Sequence, residues 1–183
     1  MPSTSPSTPV WPITPEQLRH LITCVTPRDL IDLSEHLPAG TAEMVRVLGR
    51  EHAARLVNSL PGVLIRVPVA ESTNESGRRR RAELGRLLGD ELATTLFGAY
   101  GGETMRVPVL RTLLAHKRRR WISAAYDALT TGPSPTCSSQ YDAINLLCMS
   151  LAAAGLTMTA HQIERSLNEV APDASDLHQL RLL

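Results

Sequence analysis

Apolar residues recur at helical spacing along most of the chain, and twice the same stripe runs through a glycine into a short β-branched stretch. Ala53, Leu56, Val57 and Leu60 fall at i, i+3, i+4 and i+7, which is one face of a helix. Ala93, Leu96, Phe97 and Tyr100 repeat that stripe. Pro61-Gly62 follows the first and Gly101-Gly102 the second. Glycine suits the left-handed residue that closes a helix. Val63–Val69 and Glu103–Val109 then read as strands. Pro68 and Pro108 lack a ladder donor, so they confine each strand to an edge or end it. Alternation puts Arg66 and Arg106 each on the face of its own proline, two residues on. A lone two-stranded ribbon is marginal. The strands are therefore expected to pair with each other, or with a second chain, and to lie on the helices.

The two stretches are copies. Leu48–Val69 and Leu88–Val109 align without a gap at an offset of 40 residues. Leu48/Leu88, Gly49/Gly89, Glu51/Glu91, Ala53/Ala93, Leu56/Leu96, Gly62/Gly102 and the four residues Arg-Val-Pro-Val at 66–69 and 106–109 are identical. Ten identities in 22 positions far exceed chance and mark a tandem repeat. Around it the pattern predicts helices over Pro15–Val25 and Pro27–Leu37, the second capped by Thr26. Thr41–Leu60 reads as helical with a break near Gly49, and Arg78–Leu88 as a helix after the loop Ala70–Gly77. Leu110–Leu129, Gln140–Ala154, Thr159–Val170 and Ser175–Leu183 complete the helices. The expected fold is mostly α with a minor two-stranded β ribbon: a tandem helix–strand repeat plus a C-terminal helix-turn-helix-like domain.

LG-x3-A-x2-L, a glycine turn and a strand ending in Val-Pro, followed by a basic helix and a helical hairpin, resemble the Mor/C family of phage Mu-type transcription activators. The likeness spans roughly Leu48 to Val170. It implies that the helix–strand part dimerises and that the terminal helix-turn-helix enters the DNA major groove. Such an activator would also meet RNA polymerase. One feature departs from the family: Gly155 lies eight residues before Ile163, where the tight motif has six between its turn glycine and first buried aliphatic residue.

Charge sharpens this picture locally. Net charge is only +1, so no global basic signature exists. From Thr104 through Tyr126, however, stand Arg106, Arg111, Lys117, Arg118, Arg119 and Arg120 with no acid among them. Arg78, Arg79, Arg80 and Arg81 add a second run on the helix between the copies. Lys117–Arg120, Arg111 and Arg78–Arg81 are candidate phosphate contacts, which set affinity and orientation without reading sequence. The alternative is a pair of solvated helix faces. Arg66 and Arg106 either track a groove as a ribbon or guard a strand edge against aggregation.

The hairpin supplies candidate readers. Tyr141, Ile144, Leu147, Cys148 and Leu151 form an inward stripe, Gly155-Leu156-Thr157 a turn, and Thr159 an N-cap. With Ala160, Ile163, Leu167 and Val170 inward, His161, Gln162, Arg165, Asn168 and Glu169 face out. Gln, Asn and Arg pair bidentately with adenine and guanine edges, so His161, Gln162, Arg165 and Asn168 are the candidate base-reading set. Against this, residues 128–183 carry five acids and two bases.

Other function classes find little support. Aromatic content of 3% lacks the stacking platforms of single-strand binders. No run reaches membrane-spanning length, the N-terminal residues lack the basic n-region and apolar core expected of a secretory signal, and Cys24, Cys137 and Cys148 make neither a disulfide framework nor a zinc pattern. Six scattered histidines and no phosphate-loop, HExxH or GxSxG motif point away from an enzyme, a cofactor or a metal. The expected protein is a cytoplasmic transcription regulator whose partner is double-stranded DNA. The alternative is an oligomerisation module without DNA reading. Expected domains are 1–40 (tail and short helices), 41–109 (duplicated core), 110–129 (basic connecting helix) and 130–183 (helix-turn-helix-like). Both copies lie in one chain, so their core can close in cis or swap between chains; dyadic operators favour a homodimer.

Overall fold

The computed structural model describes residues 13–71, 73–131 and 135–169. Within them the chain is mostly helical, with one two-stranded antiparallel sheet. Two compact units emerge: one runs from Cys24 to Lys117, and the other joins the residues up to Thr23 with those from Arg118 onward. These differ from the expected divisions at 40, 109 and 129. The physical reason is that the N-terminal segment and the basic helix each divide their apolar side chains between two cores. Leu18 and Ile22 enter one core while Val25, Leu30 and Leu33 enter the other. Helix α7 (Arg111–Thr130) likewise gives Leu113 to the first unit's core and Trp121, Ile122 and Leu129 to the second's.

The Cys24–Lys117 unit holds the repeat. Helices α3 (Ala39–Leu48) and α4 (Arg50–Ser59) lead into β1 (Leu64–Arg66); α5 (Glu75–Leu88) and α6 (Asp90–Tyr100) lead into β2 (Thr104–Arg106). The break expected near Gly49 is there, and Gly89 makes the same break between α5 and α6. Gly49 has φ 77° and ψ 162°, Gly89 φ 82° and ψ 154°. That region is essentially closed to residues with a Cβ, so one glycine turns each helix pair. Helix α3 packs on α4 and α5 on α6, and across the copies α3 packs on α6 and α4 on α5. Leu48, Leu56, Leu88, Leu92 and Leu96 are buried in the shared core.

The strands are shorter than expected, three residues each. They pair within the chain, Leu64 with Arg106, Ile65 with Met105 and Arg66 with Thr104. The flanking bonds recur at the 40-residue offset. Gly62 N donates to Val107 O and Gly102 N to Val67 O, both at 3.0 Å. Val67 N donates to Glu103 O at 2.8 Å and Val107 N to Val63 O at 2.9 Å. Pairing thus extends one step past each strand before proline ends it. Pro68 is buried and Pro108 half-buried, whereas Arg66 and Arg106 are exposed. The expectation that each arginine shares a face with its proline is corrected, because alternation runs on through the buried Val67 and Val107 and stops at the proline, which cannot continue the ladder.

Ahead of the repeat, the helix expected over Pro27–Leu37 is split into α2 (Asp29–Asp32) and a 3-10 turn, Ser34–His36. Thr26 still caps it: its Oγ1 accepts from Asp29 N at 3.2 Å, and Asp29 Oδ2 accepts from Thr26 N at 2.7 Å.

The second unit packs α1 (Pro15–Thr23), the Arg118–Thr130 part of α7, α8 (Gln140–Ala153) and α9 (Ala160–Glu169). Thr14 and Gln17 form a reciprocal cap at the start of α1. Ala143, Ile144, Leu147 and Leu151 bury α8 against α1 and α9, with Ile163 from α9 fully enclosed. Tyr141, expected in that stripe, is 74% exposed, and Ala143 takes the inward place one turn from Leu147. Ala160 is exposed where an inward position was expected. Val170, the helix expected over Ser175–Leu183, residues 1–12 of the N-terminal tail and residues 132–134 lie outside the described residues.

Candidate nucleic-acid interface

Helix α5 carries the clearest basic surface. Asn74 Oδ1 accepts from Gly77 N at 2.6 Å and so starts the helix. Gly77, Arg81, Leu84 and Leu88 form the half-buried to buried stripe, which leaves Arg78, Arg79 and Arg80 on the solvent side. Arg81 turns inward and donates to the Ala70 carbonyl. Arg79 has a loose, exposed pair with Glu83 at 3.9 Å, a contact of little energetic weight. The tetrabasic run is therefore three outward cations and one that tethers the loop before its own helix.

The α7 run is arranged differently. Arg111 is exposed, while Lys117, Arg118, Arg119 and Arg120 are half-buried. Lys117 Nζ donates to the Cys24 carbonyl at 2.9 Å and to Asp29 Oδ2 at 2.5 Å. Its side chain is 10% exposed and that of Asp29 16%. Lys117 thus clasps the segment ahead of the repeat, with its ammonium engaged inside its own unit. In the other unit Arg119 reaches Glu169 Oε2 at 2.8 Å, joining α7 to the end of α9.

The α9 face is polar as expected: His161, Gln162, Arg165, Asn168 and Glu169 are all exposed. Two of its candidate readers are already engaged. Gln162 Oε1 accepts from Thr159 N at 2.9 Å and Gln162 N donates to Thr159 Oγ1 at 3.3 Å, a capping box. Arg165 Nε donates to Glu169 Oε1 at 2.7 Å while staying 74% exposed. Glu169 therefore receives two guanidinium groups. The Arg165 hydrogen bond, with the charges of Arg119 and Arg165, holds its carboxyl below the usual carboxylate range against the opposing effect of desolvation. His161 sits 3.9 Å from Glu164 and Asn168 is open to solvent.

On the ribbon, Arg66 and Arg106 share one exposed face with Leu64 and Thr104, while Ile65 and Met105 point to the core. The register sets the two arginines on a diagonal, about 7–8 Å apart at the backbone. Val63, Leu64, Val69 and Val109 make the surroundings of these cations apolar and exposed.

Sequence reasoning missed one cluster. His36 and His116 stack with ring centroids 3.6 Å apart and planes 11° from parallel. No local pattern links residues 80 positions apart. Burial pushes the Cys137 and Cys148 thiols up from their ordinary values, which disfavours the reactive thiolate. Among the described residues no group of three or more His, Cys, Asp or Glu is placed to hold a metal ion, and no helix is long and apolar enough to cross a membrane.

No protein-family model matches the chain, and no curated protein or solved structure matches it either.

Proposed function

We propose that this protein is a sequence-specific double-stranded DNA-binding regulator of transcription, of the kind suggested by its resemblance to the Mor/C activators. The observation that carries this reading is the solvent-facing Arg78–Arg79–Arg80 run of α5, whose only ion pair among the described residues is the loose one to Glu83. Side chains so disposed neutralise phosphates and release counterions, which drives binding without base contacts. The exposed Arg66, Arg106 and Arg111 extend the cationic surface. Sequence reading falls to α9, whose His161, Arg165 and Asn168 face solvent and whose Gln162 keeps its amide NH2 while its oxygen caps the helix.

A random duplex pool followed by fluorescence anisotropy, from about 50 to 200 mM salt, tests this reading. The informative variant is Arg78→Ala/Arg79→Ala/Arg80→Ala, because Lys117→Ala breaks an internal ion pair and confounds a binding assay with unfolding. The expected result is an enriched motif and a salt slope lower by about 2.7 in the triple variant, at 0.9 per lost phosphate contact. Binding with no enriched motif removes α9 as a reader. No binding at low salt overturns the proposal.

A second reading is favoured by the exposed Val63, Leu64, Val69 and Val109 around the ribbon. An apolar surface of this kind suits a protein partner and corresponds to an interaction module that does not read DNA.

A further inference from the structure

We infer that the helix–strand core is complete within one chain, so that the protein meets DNA as a monomer with one basic flank, on a site without dyad symmetry. This inference rests on the DNA-binding reading above and specifies the kind of site that reading requires.

The core closes at the ribbon. Ile65 faces Met105, the residue 40 positions on, so the centre of the pairing coincides with the centre of the two copies. Each bond made by the first strand's flank is returned by the second's: Gly62 to Val107 and Gly102 to Val67, Val107 to Val63 and Val67 to Glu103. The helices exchange partners in the same way, α3 with α6 and α4 with α5. Every strand pairing and helix contact that two separate units would form by dimerising is therefore made by one chain. Residues 67–74 are the whole connection between β1 and α5. Such a short tether keeps the second copy at an effective concentration on the order of millimolar. At micromolar protein, exchange with a second chain is disfavoured by roughly a thousandfold.

A dyadic DNA site presents the same phosphates to both halves of a two-fold protein. Here the halves share a skeleton and differ in charge. Opposite Arg78–Arg79–Arg80–Arg81 of the second copy stand Pro38-Ala39-Gly40-Thr41 of the first. Pro38 and Gly40 are exposed and carry no charge, and Thr41 is fully buried. At the 40-residue offset Arg50 and Arg55 of the first copy correspond to Asp90 and Thr95 of the second. The two flanks cannot make equivalent phosphate contacts. Among the described residues one α8–α9 hairpin accompanies two helix–strand copies, so there the reader is single where the scaffold is double.

The full chain is tested in two arms. In the first, sedimentation equilibrium at micromolar protein reads the mass, and Leu64→Cys/Arg106→Cys reads the pairing. These residues face each other on the exposed side of the ribbon, and Cys24, Cys137 and Cys148 are replaced by Ser in that variant. We expect 20.0 kDa and an intrachain disulfide that leaves the oxidised protein at monomer size. Twice that mass with an interchain disulfide overturns the inference and leaves the DNA reading intact. In the second arm, the motif enriched from random duplex is inspected for symmetry and the complex is titrated to saturation. A non-palindromic motif bound by one chain per duplex is the expected result. A palindrome bound by two chains overturns the inference even if the free protein is monomeric. Absence of any binding at low salt overturns the proposed function and this inference together, and the first arm then reports on closure alone.

Discussion

The two copies of the helix–strand unit keep the same backbone events while differing in most of what they show to solvent. Gly49 and Gly89 turn their helix pairs with nearly the same dihedral angles, and Leu56 and Leu96 are both fully buried. Around these constants the neighbours diverge. A Cβ at Gly49 meets open space, whereas one at Gly89 meets the Arg55 guanidinium at 2.8 Å. His52 is half-buried, 3.7 Å from Glu91, and its counterpart Leu92 is completely enclosed. Backbone strain and core volume constrain both copies together, while charge is constrained only by what each flank touches. That separation lets one flank acquire the α5 arginines without disturbing the shared core.

The largest effects are expected in the core. Leu56→Ala and Leu96→Ala each remove a fully buried side chain and are expected to cost about 3–4 kcal/mol, equal for the two copies in urea unfolding. A difference beyond about 1 kcal/mol would mean that the copies do not share one cooperative core. Next comes the clasp ahead of the first copy, which the second lacks. Lys117→Ala leaves Asp29 as an unpaired, largely buried carboxylate and is expected to cost about 3 kcal/mol. An unchanged unfolding midpoint would show that the pair contributes nothing.

Smaller effects sharpen the picture. Gly49→Ala and Gly89→Ala are each expected to cost about 2 kcal/mol from backbone strain, with an extra increment at Gly89 only while Arg55 is present. The double variant with Arg55→Ala should erase that increment; its persistence would point to another neighbour. The smallest effect concerns Glu43, whose carboxylate accepts from Arg46 Nη2 at 2.5 Å and Nε at 3.0 Å. The hydrogen bond and charge of Arg46 hold Glu43 below the usual carboxylate range. A lowered folded-state value favours the fold above the unfolded value of the same carboxyl, and that contribution disappears as pH falls through the lowered one. The Glu43 resonance is therefore expected to titrate below an ordinary glutamate in NMR, and Arg46→Ala to return it to the ordinary range.

Much of this fold was legible in the chain. The repeated stripe, the Gly49 break, the glycine turns and the ends of α7 and α8 follow from local chemistry, because a positive φ or an amphipathic face leaves its mark within a few residues. The misread places are those where a distant neighbour decides. Lys117 belongs to an acid-free basic run in sequence, yet Asp29, 88 positions earlier, claims it. Tyr141 fits a helical stripe but lies beyond the reach of the α1 and α9 contacts that bury Ala143 and Leu147. Gln162 shows the reverse case: Thr159-x-x-Gln162 is a visible capping box, so part of its occupation was readable without coordinates.

Local chemistry along the chain sets the recurrence at an offset of 40 residues, the places where helices stop, and which side chains are cationic. Those properties depend on neighbours within a turn or two and on an offset that can be counted. Long-range packing closes the copies on each other through Ile65 and Met105, leaves Arg78–Arg80 to solvent while enclosing Lys117, and ties two arginines to Glu169. Each of these depends on which groups meet across tens of residues, where burial and partner charge, rather than residue type, set what a side chain is free to do.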